Sequence, residues 1–209
     1  MTLGEDAVTR AENDAFVSNL REKILFSPSI GIGEIGLDRL REREISPRMR
    51  EVFLSQLKLA MELDCPTVLH GAKCWGQVVK AVREELGAKK LPSGSDGMAR
   101  GECRRLQFLF HGFSRSDGLI PEIAQLGGFI SVGPAVLNDH AVNYRELVKK
   151  IPLERLLVET DRTAENAATC PSIREVLAKT AELRGLSANE LEQITDANAN
   201  AFFPAYPRC

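Results

Sequence analysis

The sequence predicts an α/β fold built on parallel strands, and three observations carry that prediction. Strand-like apolar runs alternate with helical stretches along most of the chain, the pattern left by repeated βα units with right-handed crossovers. Four residues able to bind a divalent metal, Glu34, His70, His111 and Asp161, each stand at or near the end of such a run. Oxygen and imidazole ligands on successive strand ends are how α/β scaffolds assemble catalytic metal sites. Finally, the pattern holds five strands in 209 residues, whereas a complete eight-unit barrel takes about 250. The expected architecture is therefore a parallel α/β sheet of about five βα units, two or three short of such a barrel and short at the N-terminal side.

The elements follow in order. Residues 11–26 place Ala15, Phe16, Leu20 and Ile24 at helical spacing. An apolar run rich in Gly and Ile over 30–37 reads as a buried strand. Residues 48–63 repeat Val52, Phe53, Leu57, Ala60 and Met61 on one helical face. Strand 66–70 then precedes helix 75–87, strand 106–111 precedes helix 117–126 with Pro121 in its first turn, and strand 128–133 precedes helix 140–150. Strand 155–160 leads to helix 172–184, and a closing helix over 187–203 starts with Ser187 and Glu190 placed as a capping box. The polar segment 88–105 is expected to be a mobile loop, and the whole chain a single domain without internal repeats.

Composition narrows the classes. A hydrophobic share of 44% and a charged share of 27% describe an ordinary globular protein. With a formal charge of −2, no global basic field recruits nucleic acid, so phosphate binding needs a local patch. No apolar stretch reaches about 18 residues, the span a membrane helix needs, and the first residues lack the layout of a signal peptide. Five dispersed cysteines without C-x-x-C argue against a zinc cluster or disulfide framework and for the reducing cytoplasm.

Each motif has an ordinary structural explanation beside the functional one. Gly31-Ile32-Gly33-Glu34-Ile35-Gly36 matches G-x-G-x-x-G literally, but a dinucleotide site needs a strand before the first Gly and a helix at the last. Here the motif is itself the strand, and Glu34 would place a carboxylate against a pyrophosphate. A closely packed strand whose glycines admit neighbouring backbone is the better explanation, and it leaves Glu34 available for function. A single strand-end histidine is commonly structural; two of the chain's three histidines at such positions, with a Glu and an Asp beside them, are harder to assign to chance. His140, in the polar turn Leu137-Asn138-Asp139-His140, reads as a surface or capping residue. Cys74 lies four residues after His70, but lacks the orienting partner a thiol nucleophile requires.

Gly33-Glu34-Ile35-Gly36-Leu37-Asp38 resembles the GEIGLD signature of the TatD family of metal-dependent deoxyribonucleases. Further stretches resemble that family in order. They are Phe53-x-x-Gln56-Leu57-x-Leu59-Ala60, Pro66-Thr67-Val68-Leu69-His70, Phe110-His111-Gly112-Phe113, Gly128-Phe129-Ile130-Ser131, Glu159-Thr160-Asp161, and Thr195-x-x-Asn198 followed by Phe202-Phe203. The ordered set covers roughly residues 30–203 and is far more specific than any one motif. The resemblance implies a TIM-like barrel with a metal site on its C-terminal face. Glu34 would bridge two divalent ions, His70 and His111 would complete one of them, and Asp161 would ligate the other and help activate the attacking water. Magnesium, manganese and zinc all suit such donors. Arg39, Lys73, Arg115 and Arg162, beside the ligand strands, could contact phosphates of DNA or of a small phosphoester.

The sequence departs from the family twice. The family opens with an H-x-H strand that supplies two further ligands, and no H-x-H occurs here; Arg162-Thr163 follows Glu159-Thr160-Asp161 where the family often has Pro or Asp. The first departure leads to an expectation of an upstream extension encoding H-x-H, or of low stability and weak activity without it. The expected function is metal-assisted phosphodiester cleavage, by a deoxyribonuclease. Two alternatives stand beside it: a catalytically impaired relative acting as a binding module, and a metal-dependent hydrolase of another ester or amide.

Overall fold

The structure is a computed structural model that describes residues 10–26, 31–41, 43–88 and 106–203. The loop expected over 88–105 lies outside the described residues from position 89 onward, and residue 88 closes a helix. The chain divides into two compact units, Met1–Phe108 with Phe203–Cys209, and Leu109–Phe202.

In the first unit α1 (Arg10–Phe26) precedes β1 (Ile32–Asp38), α2 (Pro47–Glu62), β2 (Thr67–Ala72) and α3 (Trp75–Ala88). β1 and β2 are parallel, with Gly36 opposite His70 and Asp38 opposite Ala72. The glycine-rich run is the strand, and the second explanation of its glycines holds. A Cβ on Gly36 would stand 1.9 Å from the His70 carbonyl oxygen, and one on Gly33 would stand 2.7 Å from Val68 Cβ. Helix α2 begins where Ser46 Oγ accepts the Met49 N–H at 3.0 Å and Pro47 supplies a preset φ in the first turn. Its buried face, Phe53, Leu57, Ala60 and Met61, packs α2 on β1. Helix α1 packs on α2 with a different inner face from the one expected. Ile24 is buried and Phe16 and Leu20 half-buried, but Ala15 is exposed. Asn13 is buried instead, donating to Ser55 Oγ at 2.9 Å, so a polar contact replaces part of the apolar stripe.

The second unit carries most of β3 (Phe108–Phe110), then α4 (Ile120–Gln125), β4 (Phe129–Val132), α5 (Val142–Lys150), β5 (Leu156–Val158), α6 (Ile173–Arg184) and α7 (Ala188–Phe202). β4 runs parallel to both neighbours, pairing Phe110 with Ile130 and Val132 with Val158. All four β4 residues are buried, as expected of a parallel strand covered on both faces. Two expected helices start later than their sequence pattern. A 3₁₀ turn, Asp117–Leu119, takes the first residues expected of α4, and α5 starts at Val142 after a turn, with a separate 3₁₀ turn at Pro134–Leu137. Helix α7 is fixed to β5 by the buried Asn198, whose Nδ2 donates to the carbonyls of Leu153 (2.7 Å) and Leu156 (2.8 Å). Phe202 meets Phe129 edge to face at 5.8 Å. Among the described residues no helix is long and apolar enough to cross a membrane.

Candidate metal centre

The ligand candidates divide between the units. Two of them lie inside strands rather than at strand ends: Glu34 is the third residue of β1 and His70 the fourth of β2. His111 follows β3 directly, and Asp161 stands three residues beyond β5.

In the first unit the parallel register brings His70 beside two carboxylates of β1. Its Nδ1 is 3.9 Å from Glu34 Oε2 and its Nε2 is 3.5 Å from Asp38 Oδ2. Asp38 is anchored by its other oxygen, which accepts the N–H groups of Leu40 (2.7 Å) and Arg41 (3.2 Å). That Asx-type turn holds the carboxylate against the strand end.

In the second unit His111 Nδ1 lies 2.6 Å from Glu159 Oε2, while Nε2 lies 3.7 Å from Asp161 Oδ1. The His111 and Glu159 side chains are only 14% and 15% exposed, and Asp161 is 68% exposed. The ladder sets Glu159 by its N–H, which donates to Val132 O at 2.9 Å. Beyond His111 the chain turns through Gly112 at φ +59, with the Gly112 N–H on Ser131 Oγ at 3.2 Å. A Cβ there would meet nothing closer than Glu159 Oε1 at 3.6 Å, so the backbone conformation, not space, calls for glycine. Tyr144 closes this side, its hydroxyl accepting the Gly133 N–H at 2.9 Å. Burial pushes the Tyr144 phenol up to about 12; the Gly133 N–H opposes that rise and the Glu159 charge adds to it.

The donor set fits a divalent ion. Two donors on one ion at about 2.1 Å each stand about 3.4 Å apart at the tetrahedral angle. The 3.7 Å between His111 Nε2 and Asp161 Oδ1 is close to that spacing and too long for a hydrogen bond. A carboxylate on Nδ1 fixes the tautomer that leaves Nε2 as the donor to metal, an arrangement common around metal-bound histidines. Asp38 and Glu159 carry no separate ligand signal in the sequence, although both belong to the motifs Gly33–Asp38 and Glu159–Asp161.

The remaining candidates also have places. Arg39 and Lys73 follow β1 and β2, with the Arg39 N–H on Ala72 O at 2.9 Å, and Arg39 Nε donates to Arg43 O at 3.1 Å. Lys73 (φ +56) and Arg115 (φ +60) occupy left-handed turns after β2 and β3, and both side chains are exposed, as is Arg162. Cys74 is buried with its thiol on Leu37 O at 3.1 Å, and burial pushes that thiol up, which disfavours a nucleophile. His140 is exposed in a turn closed by its N–H on Asn138 Oδ1 at 2.9 Å.

The family model described as TatD related DNase matches residues 6–204. The chain belongs to this family. It is a TatD-type metal-dependent hydrolase, and its α/β fold is the one its relatives have. The metal-dependent hydrolase YabD of Bacillus subtilis (strain 168) is 28% identical over 205 residues, which cover 95% of this chain and 73% of YabD. The 3'-5' ssDNA/RNA exonuclease TatD of Klebsiella pneumoniae (strain 342) is 30% identical over 186 residues, covering 83% of this chain and 65% of the exonuclease. The crystal structure of YJJV, a TatD homolog from Escherichia coli K12, superposes with a TM-score of 0.75 at 26% identity, covering 92% of this chain and 71% of that one.

Proposed function

We propose that this TatD-family chain cleaves phosphodiester bonds of nucleic acid, DNA foremost, using divalent metal, for which Glu34 and His70 offer donors in the first unit and His111 and Asp161 in the second. The observation that carries the reading is the Glu159–His111–Asp161 arrangement, in which one carboxylate sets the imidazole tautomer and another stands at ligand spacing from the imidazole's other nitrogen. A divalent ion there supplies Lewis acidity, stabilising charge on a phosphoryl oxygen and making water a stronger acid. Glu34 and Asp161 supply the anionic donors, and the exposed Asp161 also accepts the proton that the attacking water sheds. Arg39 and Lys73 in the first unit, and Arg115 and Arg162 in the second, contact substrate phosphates on a chain of net charge −2. The name of the Klebsiella relative, an exonuclease of single-stranded DNA and RNA, supports nucleic acid as the substrate class. The family match across 6–204 supports a single hydrolase domain. The dispersed cysteines, with no C-x-x-C among them, support a cytoplasmic location.

The test is a substrate panel with Mn²⁺: single-stranded and duplex DNA, an aryl phosphodiester, a lactone and an amide. DNA and the phosphodiester are expected to turn over, and His111→Ala to lower kcat by at least about a hundredfold. Turnover of the lactone or amide alone would move the chain to another hydrolase class. Metal binding without turnover of any substrate would make it a binding module.

A further inference from the structure

Asp161 has φ +49, a left-handed conformation that side-chain-bearing residues seldom adopt unless something holds it. The holding contact comes from the loop that follows. Asn166 Nδ2 donates to the Asp161 carbonyl at 3.0 Å. The same side chain is fixed from its other end, because Asn166 Oδ1 accepts the Thr163 N–H at 2.7 Å. The Asn166 N–H returns to Thr163 Oγ1 at 3.3 Å, and the Asn166 carbonyl accepts the N–H groups of Thr169 (3.0 Å) and Cys170 (2.8 Å). Cys170 Sγ meets the Thr160 carbonyl at 3.2 Å, so both peptide groups flanking the bend are gripped by the loop. The direction in which the Asp161 Cβ leaves the backbone follows from this bend, and with it the 3.7 Å reach of Oδ1 toward His111 Nε2.

The geometry points to Asn166 as a positioning residue that holds Asp161 in its left-handed conformation and so sets its carboxylate for metal. The inference rests on Asp161 being a ligand, as proposed above. Asn166 does not itself touch metal or substrate; it acts through the Asp161 backbone. A loop tied down only for stability would show in unfolding and not in metal affinity.

The test uses the full chain and Co²⁺ alone, titrated by calorimetry and by visible absorption, with apo-protein melting measured in parallel. Asn166→Asp keeps the acceptor for the Thr163 N–H and every backbone bond of the loop, and removes only the donor to Asp161. Its added negative charge would by itself tighten cation binding, so weaker binding cannot come from charge. Asn166→Ala is the neutral companion. Both variants are expected to raise the Kd for Co²⁺ by about ten- to a hundredfold and to alter the visible band, with apo melting within about 3 °C of the parent. Asp161→Ala is expected to raise the Kd at least as much. If Asp161→Ala weakens binding and both Asn166 variants bind as the parent does, the positioning role is overturned while the ligand stands. If Asp161→Ala also binds as the parent does, the ligand assignment itself fails and the inference with it.

Discussion

At the scale of single residues, chemistry concentrates on His111, where one ring nitrogen meets Glu159 at 2.6 Å and the other faces Asp161. The charge on Glu159 raises the donor strength of the imidazole as well as fixing its tautomer. Glu159→Gln retains an acceptor but removes the charge, so Mn²⁺ affinity is expected to fall about tenfold, measured by calorimetry, with melting little changed. An unchanged Kd would deny Glu159 that role. Tyr144 gives a pH signature. Its phenol is raised from an ordinary 10.0 to about 12 in the folded chain, so above pH 10 the unfolded state sheds a proton that the native state keeps. The unfolded state then binds fewer protons, and stability falls as pH rises through this window. Tyr144→Phe should remove that part of the alkaline loss, read as a flatter urea-midpoint profile between pH 9 and 11 (roughly the accessible part of the window). An identical slope in parent and variant would contradict it.

At the scale of elements, two glycines in quoted motifs do different work. Gly36 has the His70 carbonyl where a Cβ would go, at 1.9 Å, so Gly36→Ala must displace β1 from β2. Gly112 has room for a Cβ but a left-handed φ of +59. Chemical denaturation should show a loss of at least about 3 kcal/mol for Gly36→Ala and about 1 kcal/mol for Gly112→Ala; the reverse order would contradict the packing described. Asn198→Ala should cost about 2 kcal/mol, since it leaves the carbonyls of Leu153 and Leu156 without their buried donor. A loss below about 0.5 kcal/mol would mean those carbonyls find other partners. The order of strands and helices was legible because apolar periodicity and turn residues follow local rules. Their ends were less so. β3 and β5 are only three residues long because a strand ends where its ladder partner does, which local sequence does not record. The 3₁₀ turn before α4 shares most of the helical pattern and differs only in hydrogen-bond spacing. The Ser187–Glu190 cap is legible in its Ser-x-x-Glu spacing, and the same spacing at Ser172–Glu175 forms a full capping box ahead of α6.

At the scale of the whole molecule, the family match runs from 6 to 204 and so includes every ligand candidate. The ligand types could be read from motif order, because oxygen and imidazole donors are chosen by chemistry. The supporting carboxylates could not, because Asp38 and Glu159 acquire their roles from distances of 3.5 Å and 2.6 Å to histidines far away in the sequence, which only folding creates. The loop that grips Asp161 was equally hidden, since its bonds run from side chains back to main chain. The net charge of −2 leaves phosphate attraction to a few exposed cations and to the metal itself, which makes the ion central to any activity. The most direct measurement is hydrolysis of labelled single-stranded DNA by the full chain before chelation, after EDTA and gel filtration, and after Mn²⁺ is returned. Cleavage should vanish on chelation and return with the ion. Cleavage that persists undiminished in the metal-stripped protein would contradict a metal-dependent hydrolase.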